Sequence, residues 1–405
     1  MSDQRAAGSS ELASVHGRAE KSALDRRELL AYTAWFGSAF LAAQGLVPDD
    51  AAADDKAAGA GVPKPAADSK SPRKRYDMKK SINLWAFPYP QKMSLKECFQ
   101  LAKDAGFDAV EVNYALEGDI SPEASEADLA RIGKLAASIG VAISGVCSFL
   151  YWPYSLTAND PARRAKGMEL AAEMIAAARS LGTENLLVIP GAVYIPWLKE
   201  IEPVPNDVCY QRSREALAKL LPLALKHKVY LNLENIFANA FLFSPNEMAD
   251  YVDSFKSEYL QVHFDTGNIM QYQFPEHWVP ILGKRIKNIH FKEYSKRMGE
   301  FNLESFRPLL DGTTNWPAVI EALDVAGYRG YLTFEYFHPF EHHPESLIYQ
   351  TSDALDWMLG RKSGWEKSGE WLVTKARRDE EKQSQDKPNA NGSLALSEIY
   401  FTRAC

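Results

Sequence analysis

Cysteine is scarce and scattered: of 405 residues only Cys98, Cys147, Cys209 and Cys405 carry thiols, and no two form a C-x-x-C pair. A zinc knuckle or a thioredoxin-like redox site needs closely spaced thiolates, so neither is indicated, and the four read as mostly buried small hydrophobes. Positive charge is also in short supply. With 46 Lys and Arg against 53 Asp and Glu, the formal net charge is −7. No general basic surface is available to hold a polyphosphate backbone, which argues against a nucleic-acid partner and for small molecules. No G-x-G-x-x-G or P-loop follows the first β-rich run, which removes the usual mark of a nucleotide-binding open sheet.

The first eighty residues differ from the rest, being rich in Ala, Asp, Lys, Ser and Pro, with a single apolar run from Leu29 to Val47. That run starts just after Arg26-Arg27, and Asp25-Arg26-Arg27-Glu28-Leu29-Leu30 resembles a twin-arginine export signal. The apolar stretch is too short, and too rich in Ala and Gly, to span a membrane stably. The organisation expected is a signal region over 1–53, cleaved after Ala53, a flexible linker over 54–80, a barrel over 81–362 and a disordered tail over 363–405, from which Trp365 and Trp371 could dock. The protein would then work outside the cytoplasm, in the periplasm, with no stable membrane span after processing. If the apolar stretch is instead an amphipathic helix of a soluble extension, the protein is cytoplasmic. Nothing in the sequence fixes an oligomeric state, and a homo-oligomer stays open.

Between Ser81 and Gly360, short β-rich runs alternate with amphipathic helical stretches, the pattern of parallel strands joined by crossover helices. Eight runs are expected: Ile82–Phe87, Ala109–Asn113, Ala142–Cys147, Asn185–Ile189, Val229–Glu234, Leu260–Asp265, Ile286–Phe291 and Tyr331–Tyr336. Helices before several of them stop at Gly106, Gly140, Gly182 and Gly327, where a left-handed backbone costs glycine little. Asp160-Pro161 and Ser244-Pro245 mark helix starts, and Glu247 completes a capping box with Ser244. Eight such units predict an α/β fold closed into a (β/α)8 TIM barrel.

Chemistry in a parallel barrel sits at the C-terminal strand ends, and the last four runs end in polar groups. These are Glu234 on the fifth, Asp265 on the sixth, His290 on the seventh and Glu335 on the eighth. A carboxylate or imidazole inside an apolar run is costly to bury unless it is paired or holds a metal. Four at equivalent heights on adjacent strands point to one divalent cation rather than to a buried ion-pair network. Three carboxylates and an imidazole suit Mn2+, Mg2+ or Co2+, with Zn2+ left open, and the absence of thiolate ligands favours a catalytic over a closed structural ion.

At these strand ends the sequence resembles the xylose-isomerase-like barrel superfamily, in its sugar phosphate isomerase/epimerase branch of ketose 3-epimerases, hydroxypyruvate isomerase and inosose dehydratase. The resemblance rests on Leu233-Glu234-Asn235, His263-Phe264-Asp265-Thr266-Gly267-Asn268, Ile289-His290-Phe291-Lys292-Glu293 and the run from Gly327 to Glu335. It implies that Glu234 and Glu335 are also the acid/base pair, with Asp265 and His290 completing the metal shell. The chain departs from the best-known ketose 3-epimerases at Asn268, where several members carry histidine, and at Ala240, where they carry a substrate-binding glutamate. The metal chemistry is then shared while the substrate differs.

The mechanism expected is proton transfer through a metal-bound enediolate of a sugar-like ketone or aldose, one glutamate removing the α-proton and the other delivering it. The alternative is a dehydratase or lyase on a keto-sugar, keto-glycoside or inosose, which shares the site and loses a β-hydroxyl. An abasic-site endonuclease of the same superfamily needs more ligands on the early strands and a basic groove. A carbohydrate-binding barrel without activity would not need the ligand set. Lys292, Asn268, Trp85, Glu111 and His263 are the candidate substrate-binding residues. Lys292 could instead be a rim lysine paired with Glu293, and His263 a residue behind the ligands. Phe87 and Trp152 could add to the pocket wall, since aromatic rings cover the apolar faces of sugars. His338, His342 and His343 fall on the same end of the barrel, the last two as rim residues without chemistry.

Overall fold

The computed structural model describes residues 74–198, 200–237, 240–298, 303–337 and 339–362. The expected signal region, most of the expected linker, the expected tail with Trp365 and Trp371, and His338 lie outside the described residues.

Eight parallel strands form a closed barrel: β1 (Lys79–Asn83), β2 (Ala109–Asn113), β3 (Ala142–Cys147), β4 (Asn185–Val188), β5 (Tyr230–Glu234), β6 (Leu260–Asp265), β7 (Ile286–Phe291) and, after two short strands outside it, β10 (Tyr331–Phe334). Each pairs with its neighbours in sequence, and β10 closes the ring onto β1, with Ile82 opposite Phe334. The helices are α1 (Leu95–Asp104), α2 (Glu126–Ile139), α3 (Pro161–Leu181), α4 (Asn206–His227), α5 (Pro245–Asp253), α6 (Pro275–Leu282), α7 (Trp316–Val325) and α8 (Pro344–Met358). Local sequence sets their ends. Ser94 with Glu97, Ser125 with Asp128 and Ser244 with Glu247 form capping boxes that satisfy otherwise unpaired N–H groups at the starts of α1, α2 and α5. Gly140 and Gly182 end α2 and α3 with φ of 93° and 85°, conformations that a Cβ would strain. No helix among the described residues is long and apolar enough to cross a membrane.

The first strand differs from expectation. It runs Lys79–Asn83, and Leu84–Ala86 form a 3-10 turn because the Asn83 side chain turns back to accept from the Trp85 N–H at 2.8 Å. The packed domain therefore starts before residue 81. Met78 is fully buried, and the Tyr76 N–H donates to the Leu359 carbonyl at 3.2 Å. Lys80, which reads as part of a charged linker, is buried with its ammonium 2.8 Å from Asp356 and 2.8 Å from the Ser352 hydroxyl. Replacing Lys80 by Met should lower stability by about 2 kcal/mol. That is less than the roughly 3–5 kcal/mol of a fully buried pair, because Asp356 keeps 19% of its side chain exposed and has Arg361 at 3.8 Å. Urea titration of the two proteins measures the difference.

The barrel interior is partly polar. Ser81 of β1 and Ser144 of β3, on strands that are not neighbours, share a hydrogen bond of 2.7 Å, and Asn232 of β5 donates to Asn185 of β4 at 3.1 Å. These residues fall at the start or in the middle of their strands, before the C-terminal ends. Beyond β7 the chain forms an antiparallel pair, β8 (Glu293–Tyr294) with β9 (Phe306–Arg307). Glu293 is buried under it and organises the excursion. Its carboxylate accepts from the Trp316 indole and the Thr314 hydroxyl at 2.6 Å each, and from the Leu310 N–H at 3.1 Å.

Candidate metal centre and substrate cavity

Strand register brings the four candidate ligands to one place. Asp265 at the end of β6 lies opposite His290 of β7, and Phe334 of β10 opposite Phe291, so Glu335 follows one step beyond. Asn235, just after β5, locks the fifth and sixth strand ends: its amide donates to the Asp265 carbonyl at 2.8 Å and its oxygen accepts from the Asp265 N–H at 2.9 Å. The Asp265 Oδ1 is held by the N–H groups of Gly267 and Asn268, both at 2.8 Å. Its Oδ2 is thereby turned toward the centre.

There the His290 Nδ1 lies 3.2 Å from Glu234 Oε1, 3.4 Å from Glu335 Oε1 and 3.8 Å from Asp265 Oδ2. One ligand atom from each of the four residues falls within 4.8 Å of the other three, and all four side chains are buried. Three carboxylates this close are costly to remove from water without a positive partner. Burial raises the Glu234 carboxyl to about 7 against the pull of His290. Burial likewise raises Glu335, offset by His290 and Lys292. Burial opposes the charge on His290, but Glu335 and Glu111 outweigh it and hold the imidazole well above its ordinary value. Three oxygens and one nitrogen converging from rigid strand ends fit a divalent cation of hard to intermediate character.

Lys292 is placed differently from a rim lysine. Its ammonium contacts Glu335 Oε2 and lies 3.2 Å from both Asp265 Oδ2 and the Asn268 oxygen, whereas Glu293 is engaged with Trp316 and Thr314. Burial works against the charge on Lys292, but Asp265, Glu335 and Glu234 together hold the group protonated. Asn268 also donates to the Asn235 carbonyl at 3.1 Å.

Two candidate substrate-binding residues lie behind the ligands instead. Glu111 falls at the third position of β2, before the strand ends, so its side chain sits below the rim and is fully buried. There its Oε2 is 2.6 Å from His290 Nε2 and accepts from the Asn83 amide at 2.7 Å. His263 is also fully buried, its ring 4.1 Å from that of His290. Burial, then the charges on His290 and Lys292, push its pKa well below the ordinary value and keep it neutral. Glu111 thus orients the imidazole so that Nδ1 faces the three carboxylates. Outer carboxylates of this kind usually contribute 10–100-fold to metal affinity. If the four side chains hold a divalent cation, Glu111→Gln should weaken its binding by about that factor, as read by calorimetric titration with Mn2+.

The cavity above the carboxylates has a volume of about 260 Å3, and Glu234, Glu335, Lys292 and Asn268 form its polar floor. Trp85 and Trp152 line it, together with Phe149, Trp197, Phe237 and Phe337, none of which the strand pattern marks. Phe87 is buried in the core away from this wall. These aromatics fall in connections after β3, β4, β5 and β10, where no periodic pattern marks which side a residue faces. His343 is exposed beside Glu345, and neither it nor His342 lines the cavity.

Residues 99–361 match the family described as xylose isomerase-like TIM barrel. Among curated relatives, L-ribulose-5-phosphate 3-epimerase UlaE of Escherichia coli O1:K1 / APEC is 25% identical over 283 residues, spanning 67% of this chain and 93% of that protein. The Shigella flexneri serotype 5b (strain 8401) protein of the same name is 24% identical over the same shares. Among solved structures, an L-ribulose 3-epimerase superimposes with a TM-score of 0.58 at 20% identity, over 77% of this chain and 100% of that one. The 3-keto-D-glucoside 4-epimerase YcjR of E. coli gives 0.54 at 14% identity, over 69% and 98%. These two share the fold. With a closed eight-stranded barrel, ligand-type side chains at four adjacent strand ends and a family match across most of the described residues, the chain belongs to the xylose isomerase-like TIM barrel family.

Proposed function

We propose that this protein is a sugar isomerase/epimerase that moves a proton at the carbon beside a carbonyl, with Glu234 and Glu335 as the acid/base pair and one divalent cation held by Glu234, Asp265, His290 and Glu335. The observation that carries this reading is the arrangement of the two glutamates. They come from β5 and from the end of β10, reach within 4.8 Å of each other, and both line the floor of one cavity. The curated relatives named as 3-epimerases support it.

When bound, the ion supplies Lewis acidity and a template for a hydroxy-ketone. The chain's own groups do the rest. One glutamate accepts the α-proton on a carboxylate oxygen, and the other donates a proton to the same carbon from the opposite face, which inverts the centre. Lys292 holds Glu335 through Oε2 and leaves Oε1 toward His290. Asn268 anchors the lysine through its side-chain oxygen. The aromatic wall keeps bulk water from the carbon that has lost its proton.

The test is to incubate Mn2+-loaded protein in D2O with a panel of ketoses, 3-keto-glycosides and inososes, and to follow the products by NMR. Deuterium is expected at the α-carbon of both substrate and product, with a new epimer or aldose/ketose isomer. A deoxy or α,β-unsaturated product without an epimer would assign elimination instead, and no exchange with any member of the panel would overturn the proton-transfer reading.

A further inference from the structure

The floor and the wall of the cavity differ in chemistry, and the wall is more extensive than a small polyol requires. Trp152, Trp197 and Phe237 form one aromatic arc with ring centroids 4.9, 5.8 and 5.6 Å apart. Trp85 faces it across the opening, with Phe149 at 5.9 Å and Phe337 at 5.1 Å. Phe149 and Trp152, at 6.4 Å, join the two arcs. Burial falls along this surface from the floor outward: Trp152 is 6% exposed, Trp197 39% and Phe149 49%. Large rings left in contact with water at a cavity mouth are a typical mark of a ligand-binding face.

We propose that the site is bipartite: the carboxylate floor takes the keto-sugar ring, and the outer aromatic arcs take a flat ring attached to it, so that the preferred substrate is a keto-glycoside rather than a free or phosphorylated sugar. This rests on the proton-transfer reading of the floor. The hydroxyls of a free sugar, or a phosphate, would be turned toward indole and phenyl faces that offer them no hydrogen bonds, at the cost of their hydration. Among the described residues lining the cavity the one cation is Lys292, and its ammonium is already shared between Asp265, Glu335 and Asn268. A flat ring in the aglycone position meets the opposite condition, since its faces cover Trp197 and Phe149 and bury apolar area on both partners. The size agrees. A cavity of about 260 Å3 lies just below the roughly 300–1,000 Å3 usual for drug-sized ligands. It holds one ring in full and leaves a second against the half-exposed rim.

The experiment is calorimetric titration of the full-length Mn2+-loaded protein with five probes: 3-keto-glucose, its methyl, phenyl and β-glucosyl glycosides, and L-ribulose 5-phosphate. The phenyl glycoside is expected to bind at least about tenfold more tightly than the methyl glycoside, and a gain confined to the glucosyl glycoside would overturn the flat-ring assignment. Trp197→Ala and Phe149→Ala, both at the exposed rim, should remove that preference, bringing the phenyl glycoside to the affinity of the methyl glycoside in the same variant, while leaving metal content unchanged. Equal affinity for all the glycosides, tightest binding of L-ribulose 5-phosphate, or a preference that survives in both variants would overturn the proposal. Deuterium exchange measured on the same samples separates the two claims. A ring preference without exchange leaves the bipartite cavity standing and removes the acid/base assignment, and exchange without a ring preference does the reverse.

Discussion

Glu335→Gln and Glu234→Gln are each expected to lower kcat by about 10²–10⁴-fold, the usual contribution of a positioned general acid or base, with the fold unchanged by circular dichroism. The amide keeps the shape of the carboxyl but neither accepts nor delivers a proton at the required atom. Loss of activity alone would be ambiguous, because both residues are also metal ligands in this proposal and an amide is a weaker donor to a divalent cation. Metal content measured on the same samples resolves this. A variant that retains stoichiometric Mn2+ and loses turnover assigns the proton role, whereas loss of both assigns only the ligand role. Unfolding is not expected, since each substitution removes one charge from a group of three close, buried carboxylates. A near-native rate in either variant would show that the acid/base pair is wrongly assigned.

The parts of this molecule that were legible in the sequence are those in which local patterning and global packing agree. Strands β2, β3, β6 and β7 begin and end where their apolar runs do. Glu234 and Asp265 close their strands, His290 stands one residue before the end of its own and Glu335 follows its strand, and all four reach the common centre. That followed from barrel geometry, because parallel strands of similar length present their ends at one height. The misplacements have local causes. The first strand reads as ending in Trp85 and Phe87, but the Asn83 side chain ends it by capping the next turn. Glu111 reads as a wall residue, yet two further residues of β2 follow it and place it beneath His290. Lys80 reads as linker because its partner, Asp356, is 276 residues away in sequence, and no window of sequence contains both. The β8–β9 excursion and the outer aromatics are connection residues, whose facing is decided by tertiary contacts alone.

Exhaustive chelation is expected to abolish turnover, and adding back Mn2+, Mg2+ or Co2+ to restore it, while the ion-free protein stays folded. The second half of that expectation comes from the counter-charges already in place. The ammonium of Lys292 contacts Glu335 and lies 3.2 Å from Asp265, and His290 lies within 3.8 Å of all three carboxylates. Without an ion the cluster therefore retains two positive partners, and the strand ends are fixed independently by Asn235 and by the N–H groups that hold Asp265. The ion adds stability by mass action, about 2.7 kcal/mol at a concentration a hundred times its dissociation constant, which differential scanning calorimetry should register as a metal-dependent rise in Tm. Lys292→Met separates its two contributions. With one counter-charge removed, the ion-free protein should lose stability more than the metal-loaded one, so that the rise in Tm on adding Mn2+ becomes larger than in the parent. Turnover that persists after complete chelation would mean that the four converging side chains are an ion-pair network rather than a metal centre. An unchanged Tm increment in Lys292→Met would mean that the lysine does not share the charge of the cluster in solution.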